Sequence, residues 1–179
     1  LHLPVQSGSD EVLRAMNRRY DRARYLDLVS RLRAARPDIG LTTDIIVGFP
    51  GETLEQFEET MALVRQVGFD SAYTFIYSPR KGTRAAQMPD DTPAEVKSER
   101  IQRLIALQQQ ITADILQSQV GRRETVLVES VSARNEGWVG GRTPRALMVN
   151  FPGGEEWIGR FVDVEITSAG RNTLRGKIV

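Results

Sequence analysis

The spacing of apolar residues changes once along the chain, from a helical period broken by short apolar runs to a two-residue alternation punctuated by glycine. Leu1-His2-Leu3-Pro4-Val5 reads as the end of a buried strand. After the Ser7-Gly8-Ser9 turn, Asp10 caps a short helix. Asp21 caps a second, with Tyr25, Leu28, Val29 and Leu32 on one face and Pro37 as its stop. Residues 40–47 form a nearly continuous apolar run, as expected of a strand buried on both faces of a parallel sheet. Thr53 and Gln56 make a capping box for a helix carrying Leu54, Phe57, Met61 and Val64, and Gly68 suits its C-terminal stop. Another apolar strand follows at Ala72 to Tyr77. Strand, helix, strand, helix, strand with short connections is the pattern of a parallel α/β fold, and three strands are too few to stand alone.

Thr92-Pro93-Ala94-Glu95 is a strong helix start, with Thr92 as cap and Pro93 at the first helical position. The helix it opens runs to about Gln119 before Gly121, roughly 40 Å at 1.5 Å per residue. Beyond Glu124 the pattern predicts five short strands, at 125–131, 137–142, 146–150, 161–167 and 173–179. Five strands in so short a span point to a small antiparallel five-stranded β-barrel. The chain is therefore expected to divide into residues 1–120 and 121–179.

Composition narrows the chemistry. The 40% hydrophobic and 26% charged content is that of an ordinary globular protein. No apolar run approaches the roughly 18 residues of a membrane span, and no signal-peptide pattern opens the chain, so a cytoplasmic protein is expected. Leu1 stands where a start methionine would, directly on a strand pattern, which predicts a chain that begins inside a larger protein. Cysteine is absent and there is one histidine, which removes disulfides, thiolate catalysis and cysteine-ligated clusters from what this segment does by itself. Residues 1–120 hold 15 Lys+Arg against 16 Asp+Glu, or −1, and residues 121–179 hold 9 against 7, or +2. That asymmetry is weak, and a solvated mixed surface accounts for it as readily as nucleic-acid binding does.

In a parallel barrel the working residues gather where strands end. Three such ends are Gln6-Ser7-Gly8, Asp44 through Glu52, and Tyr77-Ser78-Pro79-Arg80-Lys81-Gly82-Thr83. Glycine and proline there serve turning whatever the function. Asp44 is more telling, because a carboxylate inside an apolar strand is costly unless it is paired or faces a polar cavity. His2 reads as a satisfied core or barrel-lining residue rather than a catalyst.

Leu1 to Ser9 with Met16-Asn17-Arg18 and Tyr20, Thr43 to Thr53, and Phe75 to Arg80 with Gly82-Thr83 resemble, in order, the fourth, fifth and sixth strand regions of the radical S-adenosylmethionine methylthiotransferase family. The segment after residue 121 is similar to the TRAM domain, an OB-like RNA-binding barrel. The resemblance implies the C-terminal part of a TIM-like (β/α) barrel followed by that domain. Tyr77-Ser78-Pro79-Arg80, Gly141-Arg142-Thr143 and Val149 to Gly153 are closest to the branch that acts on N6-isopentenyladenosine of tRNA, whereas Pro144-Arg145-Ala146-Leu147 departs from it. The branch that modifies a ribosomal protein tends to be acidic where Arg80 and Lys81 stand. An RNA-binding module with an inert barrel remnant is the other alternative.

The resemblance implies addition of a methylthio group to C2 of an adenosine beside the anticodon, using S-adenosylmethionine and two 4Fe-4S clusters. The cluster-binding cysteines would precede Leu1, so the chain alone is expected to be inactive. By the same resemblance Gln6, Ser7, Gly8, Asp44, Ile46, Val47, Gly48, Tyr77 and Ser78 are candidate cofactor contacts. Arg80 and Lys81 would face substrate. In the tail Arg122, Arg123, Arg134, Arg142, Arg145, Arg171, Arg175 and Lys177 would contact tRNA phosphates. Trp138 belongs either to the small core or to a stacking surface, and Phe151 is expected in solvent beside the Asn150-Phe151-Pro152-Gly153 turn. An incomplete barrel would also expose a sheet edge, which predicts self-association.

Overall fold

The computed structural model describes residues 1–133 and 135–179; Arg134, one of the expected tRNA contacts, lies outside the described residues. The chain divides into two compact units, Leu1–Ile111 and Thr112–Val179.

The first unit contains α1 (Asp10–Ala15), α2 (Arg22–Ala35), β1 (Thr42–Val47), α3 (Leu54–Val67), β2 (Ser71–Ile76) and most of α4 (Ala94–Gln117). Two of the expected caps are in place, but Asp10 is not one: it is the first residue of α1, Ser9 stands at the cap with no side-chain bond, and the Asp10 carboxylate accepts from Arg22 N instead. Asp21 accepts from Arg24 N at the start of α2. Thr53 and Gln56 exchange side-chain and backbone bonds in a capping box, and Gly68 closes α3 in the left-handed conformation at φ 60°. α4 starts at Ala94, one residue later than expected, with Lys97 N donating to Pro93 O at 3.2 Å.

β1 and β2 pair in parallel, from Thr42 opposite Ser71 to Val47 opposite Ile76. Residues 1–6 run parallel along the other edge of β1, but as isolated bridges at His2 and Gln6 rather than the strand the sequence suggests. The reason is local: Pro4 has no N–H to give, and Val5 N donates to the Thr43 side chain instead of a carbonyl.

β1 also differs from a strand buried on both faces. Thr43, Ile45 and Val47 are buried in a core with Val5, Phe57, Leu63, Val64 and Phe69, whereas Thr42, Asp44 and Ile46 are half-exposed. Tyr73 and Phe75, paired with Asp44 and Ile46, continue that open face at 60% and 51% exposure. Tyr25 Oη donates to Leu3 O at 2.7 Å, and burial pushes its phenol up to about 12, so it stays a neutral donor.

The second unit is a closed barrel of β3 (Arg123–Val131), β4 (Trp138–Arg142), β5 (Met148–Pro152), β6 (Phe161–Ala169) and β7 (Leu174–Ile178), in the order β3-β4-β5-β7-β6. Four of its pairings are antiparallel, and β5 meets β7 in parallel through Val149–Leu174 and Asn150–Arg175. Val126, Val128, Val139, Val149, Phe151, Val162, Val164, Ile166 and Leu174 fill the interior, with Leu116 packed among them. Gly141 must lack a side chain, since a Cβ there would lie 2.3 Å from Leu127 O.

Candidate functional site

The ends of β1 and β2, the Gln6 bend, the turn after α1 and the short 3-10 turn Arg84–Gln87 enclose a cavity of about 720 Å³ in the first unit. Six of the candidate cofactor and substrate contacts line it: Gln6, Asp44, Ile46, Tyr77, Ser78 and Arg80. Gln6 reaches it by a left-handed bend at φ 71°, with its N–H on Asp44 O at 2.8 Å and its carbonyl taking Ile46 N at 2.9 Å. Asp44 Oδ1 lies 3.5 Å from His2 Nε2, whose other ring nitrogen is 2.9 Å from Thr42 Oγ1. His2 is thus a held residue of the open face. Tyr77 packs edge-on against Phe49 at 5.1 Å, and its hydroxyl is buried with no hydrogen-bond partner among the described residues. A buried polar atom left in that state favours a bound group that would pair with it.

The other candidates stand outside the lining. Ser7 is fully buried, its Oγ 3.3 Å from Thr60 Oγ1, and Gly8 N donates to the same threonine at 2.9 Å. A Cβ on Gly8 would come within 2.6 Å of the α3 backbone, so this turn lies directly on that helix. Val47 is in the core. Gly48, at φ 66°, gives its N–H to Glu52 Oε1 at 3.0 Å, and a Cβ on it would meet Lys97 Cγ at 2.6 Å. Lys81 is exposed and does not line the cavity.

A buried ion pair holds this turn. Glu52 and Arg100 are 4% and 6% exposed, and Arg100 Nη1 donates to Glu52 Oε1 at 2.8 Å and to Glu52 O at 2.9 Å. Burial pushes the Glu52 carboxyl above its ordinary range, and the Gly48 N–H and the Arg100 guanidinium pull it back only in part. The sequence reading missed Arg100, which sits 48 residues from its partner with no local signal. It also missed Arg84 as a cavity residue, because an isolated arginine in a loop carries no pattern, and it gave no role to Arg18 although that residue stands in the Met16-Asn17-Arg18 motif.

On the barrel unit, Trp138 is half-buried with the Arg175 guanidinium 5.9 Å from its ring centroid, and Asn150 lies in register with Gly140 and Arg175. Arg142 pairs with Glu129 at 3.1 Å and Lys177 with Glu165 at 3.2 Å. Arg122, Arg123 and Arg171 are exposed, and Arg145 is half-buried. Phe151 corrects the sequence expectation. It is fully buried, because on β5 it shares the inward face with Val149, so its ring has no surface for a base.

Comparison with known proteins gives two family matches: residues 1–64 to the Radical SAM superfamily and residues 117–179 to the TRAM domain. The chain is 54% identical over 178 residues to the tRNA-2-methylthio-N(6)-dimethylallyladenosine synthase of Geobacillus thermodenitrificans (strain NG80-2), covering 99% of this chain and 34% of that protein. It is 54% identical over 179 residues to the protein of the same name from Bacillus subtilis (strain 168), covering 100% and 35%. The Oceanobacillus iheyensis protein of that name is 51% identical over 179 residues, covering 100% and 34%. The chain spans about a third of the length of these relatives. No described helix is long and apolar enough to cross a membrane.

Proposed function

We propose that the chain is the C-terminal part of a tRNA methylthiotransferase working on N6-isopentenyladenosine in the cytoplasm, a reading supported by the match of residues 1–64 to the Radical SAM superfamily and of residues 117–179 to the TRAM domain. The observation that carries this reading is the convergence of Gln6, Asp44, Ile46, Tyr77, Ser78 and Arg80 on one cavity at the strand ends. Identity above 50% along the whole chain to proteins named for that reaction adds to it.

The donor set suits S-adenosylmethionine: Gln6 and Asp44 offer amide and carboxylate groups to ribose and ammonium, Ile46 gives an apolar wall for adenine, and Tyr77 and Ser78 offer hydroxyls. Bound there, the cofactor supplies the radical and methyl chemistry of the reaction. Ser7, Gly8, Val47 and Gly48 act from behind, fixing the turns that present these groups. Iron-sulfur clusters need thiolates, and a chain without cysteine supplies no ligand to them. Arg80 and Lys81 lie toward substrate, and the barrel unit binds tRNA through its arginines and Trp138.

A salt titration of anticodon stem-loop binding tests the RNA part. Trp138→Ala is expected to weaken binding by about 1–3 kcal/mol, the worth of one base stacked on an aromatic ring, while Phe161→Ala, at an exposed aromatic of the barrel, changes little. Absence of any salt-sensitive binding by the unmodified chain would refute RNA recognition.

A further inference from the structure

We infer that Arg18, Arg80 and Arg84 form a phosphate-binding rim that grips the RNA backbone on either side of a nucleotide lowered into the cavity of the first unit. The inference rests on the RNA-directed function proposed above and adds a site to it. The three arginines come from three separate segments, the turn after α1, the loop after β2 and the first residue of the 3-10 turn, and all line the same cavity. All three are exposed, and among the described residues none is in an ion pair. Asp44 is the one carboxylate in the lining, and it faces His2. The lining is therefore 3 − 1 = +2, while residues 1–111 as a whole carry 15 Lys+Arg and 15 Asp+Glu, a balance of zero. Cationic charge is concentrated in the lining of the cavity.

Their backbones are fixed. Asn17, left-handed at φ 59°, closes α1 with its N–H on Arg14 O at 2.9 Å, and Arg18 N reaches Leu13 O at 2.9 Å. Thr83 ties the other two together: its Oγ1 donates to Arg80 O at 2.8 Å and accepts from Ala86 N at 3.3 Å, which sets the turn that begins at Arg84. Guanidiniums on fixed backbones lose less freedom on meeting phosphate oxygens, which they bond in pairs. In the same lining Phe49, Phe75 and Ile76, which are not among the groups offered to the cofactor, give an apolar and aromatic floor. An anionic rim-binder with a flat apolar centre describes a nucleotide turned out of its strand, with phosphates above and base below. An acidic peptide would use the rim but not the floor.

The test measures fluorescence anisotropy of a labelled RNA hairpin with an unpaired loop adenosine, titrated with the full 179-residue chain at several salt concentrations. Arg18→Ala, Arg80→Ala and Arg84→Ala are each expected to weaken binding roughly fivefold to eightfold near 0.1 M salt and to flatten the slope of log K against log salt by about 0.7–0.9. The triple lysine variant keeps the slope, because it keeps the charges. All three side chains are exposed, so thermal melts should be unchanged. If the triple alanine variant binds the hairpin with the affinity and slope of the unmodified chain, the rim is overturned while RNA binding by the barrel unit stands. If the unmodified chain shows no salt-dependent binding, the rim and the RNA-directed function fall together. Equal losses on a fully paired duplex would overturn the extruded nucleotide.

Discussion

Arg100→Met is expected to lower the stability of the first unit by about 3–5 kcal/mol, the usual cost of removing one partner from a buried ion pair. Glu52 would be left buried with the Gly48 N–H, at 3.0 Å, as the donor to its side chain, and the guanidinium that also lies 5.7 Å from the Phe57 ring centroid would be gone. The pH dependence has a definite sign. Burial already holds the Glu52 carboxyl above its ordinary range in the folded state. The native protein therefore binds that proton more readily than the unfolded chain, and this group's contribution declines as pH rises through the carboxylate range. Losing Arg100 removes two of the influences that lower the carboxyl, so the decline should steepen, and Glu52→Gln in the same chain should recover part of the loss. Urea unfolding followed by helical circular dichroism reads this directly, because α1, α2, α3 and most of α4 belong to the first unit. A loss below about 1 kcal/mol, the value of a solvent-screened surface pair, would mean that the pair is not buried.

Phe151→Ala carries the second large effect. The ring is fully buried among Val139, Val149 and Leu174, and truncating a buried phenylalanine costs about 3–5 kcal/mol. At about 0.05–0.15 kcal/mol per residue, a unit spanning Thr112–Val179 has only some 3–10 kcal/mol in total, so most of its margin would go. Both tryptophans, Trp138 and Trp157, lie in this unit, and their fluorescence reports its unfolding separately from the helical signal. An unchanged urea midpoint with reduced RNA affinity would instead put the ring on the surface.

That residue also shows where sequence reasoning slipped and why. Asn150-Phe151-Pro152-Gly153 carries a turn signal, which drew Phe151 toward solvent. The alternation of Met148, Val149, Asn150 and Phe151 carries the competing signal, and it prevailed, with Val149 and Phe151 inward and β5 extending to Pro152. Caps were legible because they are local: Thr53 with Gln56, Asp21 and Gly68 act within four residues. The five barrel strands were legible for the same reason, each being a short alternating run between glycines or turns. The site was legible only in outline. Gln6 and Ser7 are adjacent, yet one lines the cavity and the other is buried against Thr60, a choice made by the left-handed bend at Gln6 and not by residue type. Asp44 announced the open face of β1 by its cost in an apolar strand. Arg84 and the pairing of Glu52 with Arg100 had no such local mark, since what unites them is tertiary, and the motif that holds Arg18 did not say that its side chain lines the cavity.

The proposed function gives this chain the cavity wall and RNA-binding unit of a tRNA methylthiotransferase. It is tested most directly by a chimera in which the chain replaces the 179 residues it matches in the Bacillus subtilis relative. Nucleoside mass spectrometry then reads methylthiolation of tRNA bearing N6-isopentenyladenosine. The account predicts that the chimera forms the methylthio product, and that Asp44→Ala within it abolishes or severely reduces that product. A chimera that loads its clusters and binds tRNA as the parent does, yet forms no product, would contradict it.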